Sequence, residues 1–188
     1  MVGSPIKGRE QRLINALDSI LNYVDGFHAS NTYSNGTLPF AAEAAWSAGK
    51  WDHLERILGS LPVSDSNSFL DFNVGVGRAL LALRRKDSTD FQNIIAALRA
   101  SLAAGLSPAT TASIHAGHDH LVKLHALYEI EAVSGMHSSK VTNRENILEI
   151  LERRLEVIGA YTSEKQYLLG VRRATMSLSR WVIVVCVV

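Results

Sequence analysis

Hydrophobic side chains recur every three or four positions along most of this chain, and polar, glycine-containing stretches separate the periodic segments. This period places the apolar side chains on one face of an α-helix. The pattern predicts seven or eight helices, no strand before residue 180, and antiparallel neighbours joined by short turns. The predicted helices cover residues 9–23, 40–48, 51–58, 68–86, 91–104, 108–133, 145–158 and 163–179.

Several helix ends in this pattern carry capping residues. Asp87 is expected to cap a helix that Gly105 then stops. Ser107 and Pro108 are expected to open the next helix. A serine hydroxyl can cap the first turn, and proline fits there because N–H groups of the first turn have no partner within the helix. The predicted apolar face of that helix contains Ile114, Leu121, Leu124 and Tyr128.

The stretch around which the other helices are organised is residues 40–58, with the sequence FAAEAAWSAGKWDHLERIL. Its alanines are strong helix formers with small side chains, so a neighbouring helix can approach closely. Gly49 interrupts the run after Trp46, and a second helix then begins with Trp51 and Leu54 on one face. We predict that Trp46, Gly49, Trp51 and Leu54 form a structural site in which the two indoles clamp the helices together.

The spacing of Trp46, Gly49 and Trp51 is close to the signature of tetratricopeptide-like repeats, in which each helical hairpin stacks on the next. A single tryptophan-rich corner in the core of an ordinary helix bundle would give the same spacing. Periodicity alone therefore leaves a repeat array and a simple bundle as equal interpretations.

Charge and cysteine content narrow the classes of function. The chain has 188 residues, of which 47% are hydrophobic and 20% charged, as is typical of a globular protein. Its 19 basic and 18 acidic side chains give a net charge of +1, so bulk electrostatics do not favour nucleic acid or anionic lipid. The single cysteine, Cys186, excludes an internal disulfide framework, and the N-terminus lacks the apolar core of a secretory signal. We therefore expect an intracellular protein in a reducing compartment.

Two short motifs resemble parts of phosphate and magnesium sites. Gly75 and Gly77 could begin a glycine-rich phosphate loop, but the third glycine and the preceding strand are missing, which favours a role in close helix packing. Asp71 belongs to an Asp-Phe-Asn tripeptide that is only superficially similar to the magnesium-binding tripeptide of kinases. We interpret the basic pair Arg172 and Arg173 as a solvated helix edge.

A histidine-rich segment raises a zinc hypothesis. Two of its histidines share a helix face, but no second pair of ligands occurs elsewhere in the chain, so a solvated helix surface is the preferred interpretation. The residues thus predict no catalytic group, no cofactor and no metal. The segment contains His115, His118, Asp119, His120 and His125.

Three blocks of sequence resemble the FAT region of phosphatidylinositol-3-kinase-related protein kinases. The first is the alanine and tryptophan hairpin, AAEAAWSAGKWDHLERIL, which is shared across that superfamily. The second spans residues 120–131, HLVKLHALYEIE, and the third spans residues 168–178, LLGVRRATMSL. Their order and spacing are similar to those of ATR-type DNA-damage checkpoint kinases of a fungal kind, and the second block favours this branch. The similarity covers about residues 38–179.

This resemblance implies an all-α fold, a tetratricopeptide-like α-solenoid of helical hairpins over residues 38–180, preceded by an N-terminal helix and loop in residues 1–37. It implies a nuclear, non-catalytic scaffold that supports a serine/threonine kinase domain lying beyond this chain. The implied partners are that kinase domain, the other helical repeats of the parent protein and a partner subunit. No direct contact with nucleic acid or a membrane is expected.

Residues 181–188, WVIVVCVV, depart from the family pattern, in which further helices would follow. The segment is too short to span a bilayer, which takes about 20 apolar residues as a helix. It has the composition of an aggregation-prone strand, because it is β-branched, uncharged and free of proline. We expect a truncated chain that self-associates as a fragment, and deletion of residues 181–188 should reduce association without removing helical content.

Two alternatives stay open from the sequence. The chain could be a free-standing tetratricopeptide-like adaptor that binds a peptide or helix in a concave groove. A small helical enzyme with a histidine-based metal site is a weaker third interpretation. A kinase domain encoded in frame downstream would favour the scaffold, and metal analysis of the purified protein would test the enzyme.

Overall fold

The computed structural model describes residues 15, 19, 37–59, 71–136 and 141–178 of the chain. The helix predicted over residues 9–23 lies outside this part, except for Asn15 and Ser19. Both are helical, and the Ser19 hydroxyl donates a hydrogen bond to the Asn15 carbonyl oxygen (2.9 Å). The apolar tail, residues 181–188, lies wholly outside the described residues.

Helices and short turns make up the described chain, and no strand occurs within it. The predicted all-α fold class is confirmed. None of the described helices combines the length and the apolar character that a bilayer crossing requires. The helices are α1 (Leu38–Ser47), α2 (Trp51–Gly59), α3 (Phe72–Arg85), α4 (Ser88–Ala112), α5 (Ile114–Gly135), α6 (Val141–Val157) and α7 (Thr162–Leu178).

The chain divides into two compact units, residues 1–81 and residues 82–188, and the boundary falls within α3. In the first unit, small side chains on α1 and large aliphatic ones on α2 and α3 form the core. Full burial of one large aliphatic side chain contributes roughly 1.5–3 kcal/mol to stability. The largest fully buried side chains of this unit are Trp46, Leu54, Ile57, Leu80, Val74 and Val76.

In the second unit, α4 and α5 run antiparallel, as the sequence predicts for neighbours. Arg99, in the first half of α4, forms an ion pair with Glu131 near the end of α5. Gly105, later in α4, lies against His120 near the start of α5. The early part of each helix therefore meets the late part of the other.

The same second unit continues with α6, which is antiparallel to α5. Arg144 at the start of α6 donates from Nε to the carbonyl oxygen of Met136 (3.0 Å), just past the end of α5. Arg154, near the end of α6, has its guanidinium carbon 4.0 Å from the centre of the Tyr128 ring. A cation over an aromatic face is an attractive contact, so it helps to hold the two helices together.

The last helix, α7, runs parallel to α5. His118 in the first half of α5 contacts Tyr161, which immediately precedes α7, with ring centroids 5.0 Å apart. Glu129 in the second half of α5 contacts Arg172 in the second half of α7. The two helices therefore lie side by side in the same direction, with α6 between them in the chain.

The helix end predicted at Gly105 is wrong, and so is the helix start predicted at Pro108. α4 continues to Ala112, and the chain turns at Ser113 instead. Gly105 allows close packing rather than ending the helix, because a Cβ atom there would lie 2.7 Å from Nε2 of His120. Pro108 lies inside the helix, where its missing N–H removes one intrahelical hydrogen bond.

The apolar face predicted for α5 is only partly right. Leu124 and Tyr128 are half-buried, but Leu121 is 48% exposed. Because α5 contacts α4, α6 and α7, a wide arc of its second half is buried, and a single narrow stripe does not describe it. The side chain of Ile114 lies outside the described part of the chain. The fully or nearly fully buried apolar residues of α5 are Ala126, Leu127, Ile130 and Val133.

A two-residue turn joins α3 to α4. Lys86 has a left-handed backbone (φ 61°) and donates its N–H to the carbonyl oxygen of Leu83 (3.1 Å), while the N–H of Asp87 donates to that of Ala82 (3.0 Å). These bonds form a Schellman motif, which usually has glycine at the left-handed position. Asp87 also caps α4 as predicted, because its Oδ1 accepts a hydrogen bond from the N–H of Asp90 (2.9 Å).

Replacing Lys86 with glycine should therefore stabilise the protein. A side-chain-bearing residue in the left-handed conformation costs roughly 1–2 kcal/mol, and the larger backbone entropy that glycine loses on folding offsets part of the gain. We expect Lys86→Gly to raise the free energy of unfolding in urea by about 0.5–1 kcal/mol. Arg85→Gly, in the last turn of α3, is the control and should lower it by up to about 1 kcal/mol. Similar losses in both variants would contradict this expectation.

Candidate functional site

The predicted structural site lies at the turn between α1 and α2. Gly49 has a left-handed backbone (φ 70°), and its N–H donates to the carbonyl oxygen of Trp46 (3.2 Å), while Lys50 N–H donates to that of Ala45 (2.9 Å). Together these bonds close a Schellman motif, in which glycine avoids the steric cost of a Cβ atom. The carbonyl oxygen of Lys50 then accepts the N–H of Leu54 (2.9 Å), so α2 begins at once.

The four predicted residues occupy different environments around this turn. Trp46 is 1% exposed and Leu54 is fully buried, whereas Trp51 is half-buried. A Cβ atom on Gly49 would lie 4.0 Å from Nε1 of Trp51, so this indole reaches back over the turn. The clamping of the two helices by the two indoles stays a prediction, because burial locates a side chain but does not measure its energy.

Glu43 on α1 connects this hairpin to α3, which begins at Phe72, later than the predicted start. Its Oε2 accepts a hydrogen bond from Nδ2 of Asn73 (2.8 Å). Asp71 is the N-terminal cap of α3, because its Oδ1 accepts the N–H groups of Asn73 (2.9 Å) and Val74 (3.1 Å). Burial, and secondarily the charge of Asp71, raises the pKa of Glu43 above its ordinary value. The Asp-Phe-Asn tripeptide thus serves as a helix start.

Glu43→Gln should stabilise the protein near neutral pH and lose this advantage in acid. With a raised pKa, the folded state binds more protons than the unfolded state between the ordinary and the raised value. Stability therefore falls as pH rises through that range. Glutamine keeps an oxygen acceptor for Asn73, but it has no charge to desolvate or to repel Asp71.

Urea denaturation near neutral pH and near the ordinary pKa of glutamate measures this difference. Glu55→Gln, at an exposed position of α2, is the control and should show little change between the two conditions. An advantage of Glu43→Gln that grows in acid would contradict the direction of the pKa shift.

The two glycines of the phosphate-loop hypothesis are buried inside α3. A Cβ atom on Gly77 would lie 3.2 Å from a methyl carbon of Leu54 and 3.3 Å from one of Leu58, both on α2. Gly77 therefore allows α2 and α3 to approach closely, in agreement with the helix-packing interpretation. A helix interior uses its N–H groups in intrahelical hydrogen bonds, so Gly75 and Gly77 do not present the free N–H groups of a phosphate loop.

The structure places the histidines of the zinc hypothesis in separate contacts. His118 packs on Tyr161, and His120 lies against Gly105. Within residues 37–59, 71–136 and 141–178, no three His, Cys, Asp or Glu side chains are grouped so that they could hold a metal ion. The side chain of His115 is not among those described. His120 lies between α4 and α5, so the interpretation of a solvated histidine surface is wrong for it, whereas the side chain of His118 is partly exposed.

The third of these histidines, His125, belongs to a contact between α5 and α6. Arg154 lies over the ring of Tyr128, and its Nη2 lies 3.5 Å from Nδ1 of His125. Burial and the adjacent guanidinium of Arg154 lower the pKa of His125, although the carboxylate of Glu129 opposes this shift. A neutral imidazole can accept a hydrogen bond from Arg154, so the two side chains are compatible neighbours.

A buried ion pair that the sequence analysis missed joins α5 to α7. Arg172 donates from Nε to Oε2 of Glu129 (2.7 Å) and from Nη2 to Oε1 (2.8 Å). The side chains are 12% and 2% exposed respectively, so the interpretation of Arg172 as a solvated edge is wrong, whereas Arg173 is exposed as expected. The spacing along α7 could have indicated that Arg172 is buried, because Leu168 and Thr175, one turn before and after it, are core residues.

The side-chain contacts between distant parts of the chain, such as those of Glu43, Gly77, Gly105 and Glu129, join one helix to another, as in a helical scaffold. Comparison with known protein families identifies the class. The chain matches the FAT domain family over residues 38–182, which is more than half of its length. The chain therefore belongs to the FAT domain family, and the predicted resemblance to FAT regions of ATR-type kinases is confirmed.

The similarity to individual proteins points to one group of kinases. The chain is 30% identical over 119 residues to the serine/threonine-protein kinase ATR of Arabidopsis thaliana, a match that covers 60% of this chain and 4% of that kinase. It is 28% identical over 120 residues to the ATR kinase of Oryza sativa subsp. indica, covering 61% of this chain and 4% of the kinase. The chain thus spans only a small part of these plant relatives, and a fungal source stays a prediction. No solved structure gives a significant match.

Proposed function

We propose that this chain is a helical scaffold segment of an ATR-type serine/threonine protein kinase that acts in DNA-damage checkpoint signalling in the nucleus. In this role it supports the kinase domain and contacts other helical repeats of the same protein and a partner subunit, without catalysing the reaction itself. The observation that carries the proposal is the FAT domain match over residues 38–182, together with the similarity to ATR kinases of two plants.

The order of helices in the second unit supports a scaffold built from stacked hairpins. α5 and α7 are parallel and in contact, and the antiparallel α6 lies between them in the chain. Stacked helical hairpins require this order, because each new hairpin repeats the direction of the previous one. We therefore propose a tetratricopeptide-like α-solenoid over residues 38–180, with residues 1–37 as an N-terminal helix and loop and residues 181–188 as an apolar tail.

The proposal includes that this chain, on its own, catalyses no reaction. Gly75 and Gly77, which resemble the start of a phosphate loop, lie within the helix α3. We expect no saturable binding of magnesium-ATP at micromolar concentrations by calorimetric titration, and no transfer of phosphate to a peptide. Saturable binding that disappears when both glycines are replaced by alanine would overturn this part of the proposal.

A chimeric kinase tests the scaffold role. Residues 38–178 would replace the segment of the ATR kinase of Arabidopsis thaliana that contains the 119-residue alignment, and the purified chimera would be assayed for phosphorylation of a peptide substrate. We expect the chimera to phosphorylate the peptide and to lose much of this activity when the segment carries Trp46→Ala, because a strongly destabilised segment gives less support. Arg173→Met, at an exposed position of α7, is the control and should leave the activity unchanged.

The reading frame of the gene distinguishes the scaffold from a free-standing adaptor. A kinase domain encoded in the same transcript, downstream of this segment, would support the scaffold. A transcript without that domain, together with a chain that is a stable monomer with one cooperative melt, would favour a tetratricopeptide-like adaptor that binds a peptide or helix.

A further inference from the structure

We propose that the ion pair between Glu129 and Arg172 fixes the register in which α7 stacks on α5. The proposal concerns the packing of the second unit and does not depend on the function proposed above. Both charged groups lie in the core between helices, where an ion pair gains little net stability because desolvation opposes the attraction. A role in selecting one register of α7 on α5 would account for a buried ion pair that adds little stability.

Three hydrogen bonds hold the guanidinium of Arg172. Two go to the carboxylate of Glu129 in a forked arrangement (2.7 and 2.8 Å), and the third goes from Nη2 to the carbonyl oxygen of Leu151 on α6 (3.1 Å). A planar guanidinium makes such paired bonds only within a narrow range of positions. One side chain therefore ties α5, α6 and α7 together at a single height along the helices.

The apolar side chains around the pair select the register less sharply. Leu168 and Val171 of α7, like Ile130 and Val133 of α5, are buried aliphatic residues of similar size. Attraction between such groups is non-directional and roughly proportional to buried area. A slip of α7 by about one helical turn, roughly 5.4 Å, would put Val171 in the place of Leu168 and Ala174 in the place of Val171, so buried aliphatic contacts would persist.

The same slip would separate the two charges. The residues one turn from Glu129 on α5 are His125 and Val133, and neither can accept the paired bonds of a guanidinium. Glu129 and Arg172 would then both be buried without a counter-charge, which is strongly destabilising. A single buried polar contact fixes helix register in coiled coils in the same way.

Denaturation of the full 188-residue chain separates stability from register. Arg172→Met and Glu129→Met should each lower the folding equilibrium constant roughly a hundredfold or more, because each leaves one charge buried and unpaired. The double variant Glu129→Met with Arg172→Met should recover most of this loss, since two apolar side chains can fill the space. Arg173→Met, the exposed neighbour, is the control and should change little.

Spin labels measure the register itself. Labels would be attached at Asp119→Cys near the start of α5 and Ser177→Cys near the end of α7, both exposed positions, in a chain with Cys186→Ser and diluted with unlabelled chain. Because the labels lie at opposite ends of parallel helices, a slip of one turn changes their separation by about 5 Å. We expect one narrow distance in the parent and in Arg173→Met, and an additional distance displaced by about that amount in the double variant.

Three results would overturn the proposal. A double variant with the single narrow distance of the parent would mean that apolar packing alone selects the register. Two distances in the parent chain would mean that the ion pair does not select one. A double variant as unstable as the single variants would mean that the pair is needed for stability rather than for register.

Discussion

Trp46→Ala should lower the free energy of unfolding by about 3–5 kcal/mol, the range found when aromatic core residues are truncated to alanine. Trp46 is almost completely buried, and its neighbours on α1 are mostly alanines, whose short side chains cannot fill the space that the indole leaves. The loss would be a large share of the 5–15 kcal/mol that typically stabilises a domain. Guanidinium denaturation followed by far-UV circular dichroism measures it.

Two further variants show whether this effect is specific to the buried indole. Trp51→Ala removes the half-buried indole of the same turn, so its loss should be clearly smaller. His118→Ala changes a partly exposed side chain of the second unit and should have little effect. If Trp46→Ala and His118→Ala shifted the denaturation midpoint by equally small amounts, Trp46 would not be a core residue in solution.

Gly49→Ala should lower the free energy of unfolding by about 1–2 kcal/mol, which is the cost of a left-handed backbone for a residue with a side chain. The added methyl group has room, because its nearest heavy atom would be Nε1 of Trp51 at 4.0 Å. The cost therefore comes from the backbone (φ 70°) and not from a clash.

A second glycine on the same hairpin serves as the matched control for Gly49→Ala. Gly59 ends α2, has no left-handed backbone, and has nothing within 4 Å of the position of a Cβ atom. Gly59→Ala should leave stability unchanged or raise it by up to about 1 kcal/mol. A pair of urea denaturation curves in which both variants gain stability would show that the Schellman turn does not constrain position 49.

The sequence predicted the helices of this chain well where the signals are local. The hairpin of residues 40–58 appears as α1 and α2, and the expected cap at Asp87 is observed. These features depend on helix propensity, on capping side chains and on glycine at a tight turn, all of which act within a few residues.

The sequence did not predict the features that depend on residues far apart in the chain. Gly105 resembles a helix stop, and only the approach of His120 shows that it is a packing position. Arg172 resembles part of a solvated basic pair, but its partner Glu129 is 43 residues away and on another helix. Tertiary contacts of this kind override local propensity, and a single sequence does not reveal which distant side chains meet.

The turns after α1 and α3 share one set of backbone hydrogen bonds, although glycine has the left-handed conformation in one and lysine in the other. In each turn a single residue, Lys50 or Asp87, both closes the first helix with its N–H and starts the second with its carbonyl oxygen. Fraying of one helix end therefore moves the residue that also accepts the first hydrogen bond of the next helix. Amide protons on the two sides of such a turn should therefore exchange with solvent at similar rates, as members of one local opening event.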